Sequence, residues 1–416
     1  MRCLLKAYSK RSHLVFVDNQ KKYKQGKERT MHFEFATANR IIFGTGTIHQ
    51  TGRLAAKMGQ HAFVLTGRNA DRAAPLIDTL RTEHIRFSQF CVPAEPTTEL
   101  ALAAAQQARK DACDFVIGIG GGSVLDTGKA VAALLTNLGD LMDYLEVIGG
   151  NQPLINKSAS FIAIPTTAGT GTEVTRNAVL DSPEHRVKVS MRSPYMLPNL
   201  AIIDPELTFS MPPEITASTG LDAFTQLLEA FVSRNANPLT DGICREGLRR
   251  TSRALNRAYI VADDSEARTD MCLASLFGGL ALANAKLGAV HGFAGPLGGM
   301  FDAPHGSLCA GLLPHVMQTN IKALQARAPE SPALNRFDEV ARIITDKFDA
   351  RALDAVAYVQ KLCSQLNVPP LSIYGIEEVE FPAIVAKSQK ASSMQGNPIT
   401  LTEEELTDIL RKAVYA

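Results

Sequence analysis

The chain has 416 residues, 43 Lys+Arg against 42 Asp+Glu for a formal net charge of +1, and 45% hydrophobic and 20% charged residues. This is the composition of a folded globular protein, with two or three domains at roughly 100–200 residues each. The near-neutral total disfavours a protein that coats nucleic acid or an anionic membrane, and no run of about 18 apolar residues marks a spanning segment.

Charge is unevenly placed. Residues 1–30 hold nine Lys/Arg against Asp18 and Glu28, a local +7 that leaves −6 for residues 31–416. The stretch lacks the apolar core of a secretory signal. It is expected to be a solvated basic tail, or an extension ahead of a start at Met31.

From Met31 the first half alternates strands and helices. Strands are expected over residues 40–46, 61–67, 86–92 and 114–119, with helices over 73–83 and 100–110 between them. Near-continuous apolar strands joined by crossover helices indicate a parallel sheet covered on both faces. Two further strands are expected over 161–164 and 200–203. Beyond about Leu207 the pattern lengthens to helical periods over 215–232, 244–259 and 266–287. Pro212-Pro213 marks the boundary, which divides the chain into an α/β domain over 31–208 and a helical domain over 209–416.

Three motifs carry chemistry. Gly118-Ile-Gly-Gly-Gly-Ser-Val-Leu-Asp126-Thr-Gly-Lys129 follows a buried strand and opens a helix. Consecutive glycines let the backbone approach a phosphate, the helix N-terminus attracts its charge, and Ser123 reads as the helix cap. The spacing is neither GxGxxG nor a P-loop. Pro165-Thr-Thr-Ala-Gly-Thr-Gly-Thr-Glu-Val-Thr175 follows another strand, placing five hydroxyls on the same carboxyl edge, where open α/β sheets bind ligands. In the helical half, Asp222 and Gln226 lie one turn apart, and His291 and His305 bracket a glycine-rich bend. One carboxylate and two imidazoles suit Fe(II) or a three-ligand zinc site, although spacing alone equally allows unrelated residues. The seven cysteines form no CxxC pair, which suits a reducing compartment and a cytoplasmic protein.

From about Phe33 to Ala416 the chain resembles the iron-containing (group III) alcohol dehydrogenases. The resemblance rests on Gly120-Gly-Gly-Ser-Val-Leu-Asp126, Pro165-Thr-Thr-Ala-Gly-Thr-Gly-Thr-Glu173, Ile203-Asp-Pro-Glu-Leu207, Thr219-Gly-Leu-Asp222-Ala and the pair His291/His305. It implies a dehydroquinate synthase-like architecture, an α/β dinucleotide-binding N-terminal domain followed by an all-helical C-terminal domain, with hydride transfer between NAD(P) and a small alcohol, aldehyde or ketone. Gly120, Gly121, Gly122 and Ser123 would hold the pyrophosphate, Thr166, Thr167 and Thr170 would line the cofactor, and Lys188 would contact its ribose. Asp126 and Gly67 complete the expected cofactor residues. Asp222, Gln226, His291 and His305 would hold Fe2+ or Zn2+.

Two positions depart from the family pattern, Gln226 and Gly295, each standing where the family commonly has histidine. Three ligands suffice for a catalytic metal, so Asp222, His291 and His305 are expected to bind one with Gln226 distant or weakly coordinating. Thr66-Gly67-Arg68-Asn69 lacks the acid that NAD-specific sites often carry, and Arg68 suits a 2′-phosphate, so NADP is the expected preference. Alternatives are a metal-independent reductase of an oxo-acid, of the maleylacetate reductase kind; a lyase of the dehydroquinate synthase type; and a cofactor-binding protein without catalysis. A homo-oligomer acting on small molecules, with no nucleic-acid or membrane partner, is expected.

Overall fold

Eight strands alternate with helices in the first half of the computed structural model, which describes residues 32–415; the basic segment 1–30 lies outside the described residues. The strands are β1 (Ile41–Phe43), β2 (His61–Thr66), β3 (Arg86–Cys91), β4 (Phe115–Gly120), β5 (Ser160–Pro165), β6 (Asn177–Ser182), β7 (Val187–Arg192) and β8 (Leu200–Ile203). Six form one parallel sheet in the order β1-β8-β5-β4-β2-β3, and β6 and β7 pair as an antiparallel hairpin. The helices of this half are α1 (Thr51–Ala55), α2 (Ala74–Thr82), α3 (Thr98–Lys110), α4 (Gly122–Thr136) and α5 (Leu141–Tyr144).

Side-chain alternation decides which face each helix covers. Phe63, Leu65 and Val116 point to one side and pack with α3 and α4; Ala62, Val64, Phe115 and Ile117 point to the other and meet Leu54, Leu76 and Leu80 of α1 and α2. The chain leaves β2 toward β3, but leaves β4 in the opposite direction toward β5. Neighbouring strands with opposed exits open a crevice at their carboxyl ends, which is where such sheets take ligands. Gly67 follows β2 and Gly121 follows β4.

One expectation fails locally, and one element was not foreseen. Ser123 does not cap α4. The helix starts at Gly122 with Gly121 as its cap, and no side chain caps it. Because the strand runs through Gly120, glycine itself makes the turn, so no side chain occupies the first-turn N–H groups, which suits an anion. The β6–β7 hairpin was not expected at all; it lays Ala178, Leu180, Val189 and Met191 onto the α3/α4 layer.

The second half is helical: α6 (Pro213–Val232), α7 (Pro238–Ile260), α8 (Ser265–Ala285), α9 (Ala289–Phe301), α10 (His305–Arg327), α11 (Pro332–Thr345), α12 (Ala352–Gln365), α13 (Phe381–Lys390) and α14 (Glu403–Tyr415). Helix α6 is buried at every position from Gly220 to Val232, enclosed by α7, α8, α10 and α11. Interior polar groups are costly unless satisfied, so Asp222, Gln226 and Glu229 on this helix need partners. The glycines expected to bend the chain between His291 and His305 instead lie within α9. The turn comes at Asp302, in the left-handed region at φ 48°. Two of the glycines serve close packing: a β-carbon at Gly299 would sit 2.7 Å from the Val187 Cα, and one at Gly292 would sit 2.8 Å from Met394.

Phe35–Ala416 forms one compact unit, pinned where sheet loop meets helix. Gly171, at φ +61°, lies so close to α8 that a β-carbon on it would sit 2.4 Å from the Gly279 Cα. Only glycine meets both demands at low cost. Among the described residues no single helix is long and apolar enough to cross a membrane.

Candidate active site

The glycine turn and the threonine loop meet at the carboxyl edge of the sheet. Thr166 N–H donates to the Gly120 carbonyl at 2.9 Å. Thr167 faces Gly121 and Thr170 faces Gly122, where added β-carbons would lie 3.3 and 2.9 Å from their methyl groups. Gly120, Gly121, Gly122, Ser123, Thr166, Thr167 and Thr170 thus lie together beside the α4 N-terminus, with Gly67 across from Val124. Such a turn, bare of side chains and rich in free N–H groups, suits a dinucleotide pyrophosphate. Lys188, on β7, ion-pairs with Glu95 at 3.1 Å and lies against Gly298 of α9, between hairpin and helical half.

Asp126 has a different role from the cofactor contact expected of it. Its Oδ1 accepts from the Thr172 hydroxyl at 2.5 Å and pairs with Lys129 at 3.2 Å, while Oδ2 accepts from Val179 N–H at 3.1 Å. Both oxygens are engaged by the protein. The fully buried Lys129 also donates to Thr172 and Thr175, so this pair ties the glycine helix to the threonine loop.

Beside it, burial pushes the Glu173 carboxyl up to about 7 from 4.5. Between those values the folded chain holds a proton that the unfolded chain has released, so this group makes stability fall as pH rises through the window. Glu173→Gln is expected to remove that slope and to stabilise the protein by up to about 3 kcal/mol above neutrality. Urea unfolding at about pH 5 and about pH 7.5 checks it; parallel shifts for variant and parent at both values would refute it.

The second centre is built by three helices. Asp222 comes from α6, His291 from the first turn of α9 and His305 from the first residue of α10, with Cys309 one turn further along α10. A ligand atom from each of the four lies within 4.8 Å of all the others. Asp222 Oδ1 is 3.2 Å from His291 Nε2 and 3.7 Å from His305 Nε2. Cys309 Sγ is 3.8 and 3.7 Å from the same two nitrogens. His291 Nδ1 is 2.8 Å from Glu229, whose other oxygen accepts from Val290 N–H at 2.7 Å, leaving Nε2 turned into the cluster. A carboxylate on the far nitrogen is the usual way to orient a metal-binding imidazole.

Gln226 is placed otherwise. Its amide nitrogen donates to Asp222 Oδ2 at 3.2 Å and to the Thr170 carbonyl at 3.3 Å. Both partners are acceptors, which fixes the NH2 end on that side; its carbonyl oxygen is buried without a protein partner, against the Gly278 position. Gln226 therefore steadies Asp222 rather than presenting an oxygen to the cluster.

Electrostatics bind the four together. Burial alone would raise the Cys309 thiol, but the imidazoles of His305 and His291 outweigh it and hold it below its ordinary value. Burial disfavours the imidazolium of His291, yet Cys309, Asp222 and Glu229 lift it well above the usual histidine range. Asp222 is pulled down against its burial by both histidines. Two acidic and two basic groups that stabilise one another's charged forms are a donor set suited to a divalent cation, which replaces the protons. Cys309 and Glu229 escaped the sequence reading. Their signals were helical spacing: Cys309 at i+4 from His305, Glu229 at i+7 from Asp222.

Comparison with known proteins identifies the family. The family model for "Iron-containing alcohol dehydrogenase" matches residues 38–205, and that for "Fe-containing alcohol dehydrogenase family, C-terminal" matches residues 216–414. A 1,3-propanediol dehydrogenase of Klebsiella pneumoniae is 36% identical over 311 residues, 73% of this chain and 77% of that one. A crystal structure of a 1,3-propanediol oxidoreductase superposes with a TM-score of 0.85 at 31% identity, covering 92% of this chain and 100% of that one. A sulfoacetaldehyde reductase of Bifidobacterium kashiwanohense, solved in complex with NAD+, gives 0.81 at 28% identity, covering 93% and 100%. The chain belongs to the iron-containing alcohol dehydrogenase family, and is an oxidoreductase that moves hydride between a nicotinamide dinucleotide and an alcohol or its carbonyl.

Proposed function

We propose that the chain interconverts small primary alcohols and aldehydes, with the dinucleotide on the glycine turn 120–123 and a divalent cation held by Asp222, His291 and His305. The observation that carries this reading is Thr170. Its side chain faces Gly122 of the phosphate turn, and its carbonyl accepts from Gln226, which in turn holds Asp222. One residue thus links the cofactor edge to the metal-binding cluster, and the α/β lobe (31–208) and helical lobe (209–416) each supply half of a common site.

A nicotinamide dinucleotide supplies or accepts the hydride, and a bound cation polarises the substrate oxygen as a Lewis acid. The residues of the chain do the rest. Gly120–Gly122 admit the pyrophosphate, Thr167 and Thr170 offer hydroxyls to the cofactor, and Glu229 holds His291 in the tautomer that frees Nε2. His305, with 37% of its side chain exposed against 3% for Asp222 and 6% for His291, marks the side from which substrate enters. A β-carbon at Gly295, one turn along α9 from His291, would meet nothing within 4 Å.

NADP is the proposed preference. Gly67 presents no acid at the end of β2, and the exposed Arg68 is anchored by its Nε on the Pro93 carbonyl at that edge. Arg68→Ala is expected to raise the KM for NADP+ about tenfold, one charge-assisted contact, and to leave that for NAD+ alone. A lower KM for NAD+ that Arg68→Ala does not alter overturns the preference.

The function itself is tested by metal analysis of the purified protein and a panel of 1,3-propanediol, straight-chain alcohols, aldehydes, sulfoacetaldehyde and oxo-acids. Dinucleotide-dependent turnover of alcohols that chelation abolishes is the expected result. Undiminished turnover of an oxo-acid after exhaustive chelation replaces it with a metal-independent reductase.

A further inference from the structure

Cys309 has no exposed surface and stands in a cluster whose other members are a carboxylate and two imidazoles. Buried cysteine usually behaves as a small apolar residue, but this one, at the edge of the helical core, turns its sulfur toward two imidazoles and a carboxylate. Its sulfur is at nearly equal distances, 3.8 and 3.7 Å, from His291 Nε2 and His305 Nε2, and all three face Asp222.

These separations match one coordination geometry. Zinc takes sulfur at about 2.3 Å and imidazole nitrogen at about 2.0–2.1 Å, so tetrahedral neighbours around it lie about 3.3–3.6 Å apart. Four of the cluster's six edges run from 3.2 Å between Asp222 and His291 to 3.8 Å between Cys309 and His291, and all six lie within 4.8 Å. Gln226 is already committed to Asp222 and Thr170 through its amide nitrogen.

We propose that Cys309 is the fourth protein ligand of the metal centre, as a thiolate, and that it makes the site select Zn2+ over Fe2+. This rests on the metal-assisted reading above and narrows it. On metal uptake the Cys309 S–H bond breaks, the proton leaves to solvent, and the sulfur lone pair binds the cation; no oxidation is involved. A thiolate is a soft ligand that favours zinc, whereas a carboxylate and two imidazoles alone serve iron equally well. Zinc can expand to five ligands, so the substrate oxygen still enters on the open His305 side.

The test uses the full chain, stripped of metal and reloaded with Co2+ as a spectroscopic stand-in for Zn2+. The wild-type protein is expected to show a near-ultraviolet sulfur-to-cobalt charge-transfer band. Cys309→Ser should abolish that band while keeping the visible cobalt transitions, and Cys91→Ser, at an exposed site, should leave it untouched. Changing a partner that merely orients a ligand costs about 10–100-fold in metal affinity, so losing a direct ligand should weaken Zn2+ by at least that much. Fe2+ should weaken far less. Cys309→Asp, which supplies a hard oxygen, should recover binding with the preference turned toward Fe2+. Unchanged calorimetric binding of dinucleotide by the Cys309 variants shows that they are folded. Cobalt bound without a sulfur band, or Zn2+ held by Cys309→Ser as tightly as by the parent, overturns the thiolate and leaves the metal-assisted reading standing. Failure of the wild-type protein to bind any of the three cations overturns both.

Discussion

Gly121→Asp is expected to abolish dinucleotide binding and turnover while the protein folds as before. Gly121 has an ordinary backbone conformation, φ −77°, and a β-carbon there would lie 3.3 Å from the Thr167 methyl, which a small side-chain adjustment relieves. As the cap of α4 it is also a position where aspartate suits the helix, because the carboxylate accepts from first-turn N–H groups and complements the dipole. The substitution therefore leaves stability unchanged or raises it. Those same N–H groups are what the pyrophosphate needs. The new carboxylate occupies them and repels the ligand, and like charges brought together cost several kcal/mol. At about 1.4 kcal/mol per tenfold, affinity should fall by about a thousandfold or more. Calorimetry with NAD+ and NADP+, alongside thermal unfolding, checks both halves. Unaltered affinity would move the cofactor to another part of the molecule.

Legibility of the chain in its sequence followed the range of the forces involved. The apolar runs ending at Thr66 and Gly120 announced buried parallel strands because both faces of such strands lose water together. Helices 213–232 and 238–260 were visible through the periodicity over 215–232 and 244–259, although the second begins six residues earlier than expected, at Pro238. The β6–β7 hairpin was not: its strands carry polar residues between a few buried apolar ones, and those apolar positions are completed only by packing on α4. The glycines of α9 read as a bend because glycine favours turns. Their actual use, close approach to β7 and Met394, exists only once the fold has formed. The same limit applies at the site. Asp222, His291 and His305 stood out by residue type, whereas Cys309 and Glu229 acquire meaning from where α6, α9 and α10 cross. Asp126 shows the converse, a motif residue whose oxygens are spent on Thr172, Lys129 and Val179.

Asp222→Asn is expected to remove the metal and nearly all alcohol turnover while dinucleotide binding persists. Asp222 is the carboxylate of the cluster, and its two oxygens face His291, His305 and Gln226. Asparagine keeps the volume and an oxygen that can accept from Gln226, so the helix interior is not emptied. What is lost is a full negative charge beside a dication, in an interior where charges are weakly screened. A Lewis-acid metal contributes several kcal/mol to the transition state. At 1.36 kcal/mol per tenfold, turnover should drop by about a thousandfold or more. The link to the cofactor edge runs through Gln226 to the Thr170 carbonyl and does not involve the Asp222 charge, so NAD(P)+ affinity should hold. The same variant separates two chemistries. If Asp222 works by holding a metal, excess Zn2+ restores part of the activity and the bound metal per chain tracks turnover. If it instead serves a metal-free reductase by stabilising protonated His291, whose titration it lifts, added metal does nothing and the pH profile moves toward lower pH. Turnover retained with neither change would leave Asp222 a buried structural residue, and the site would have to be sought elsewhere in the chain.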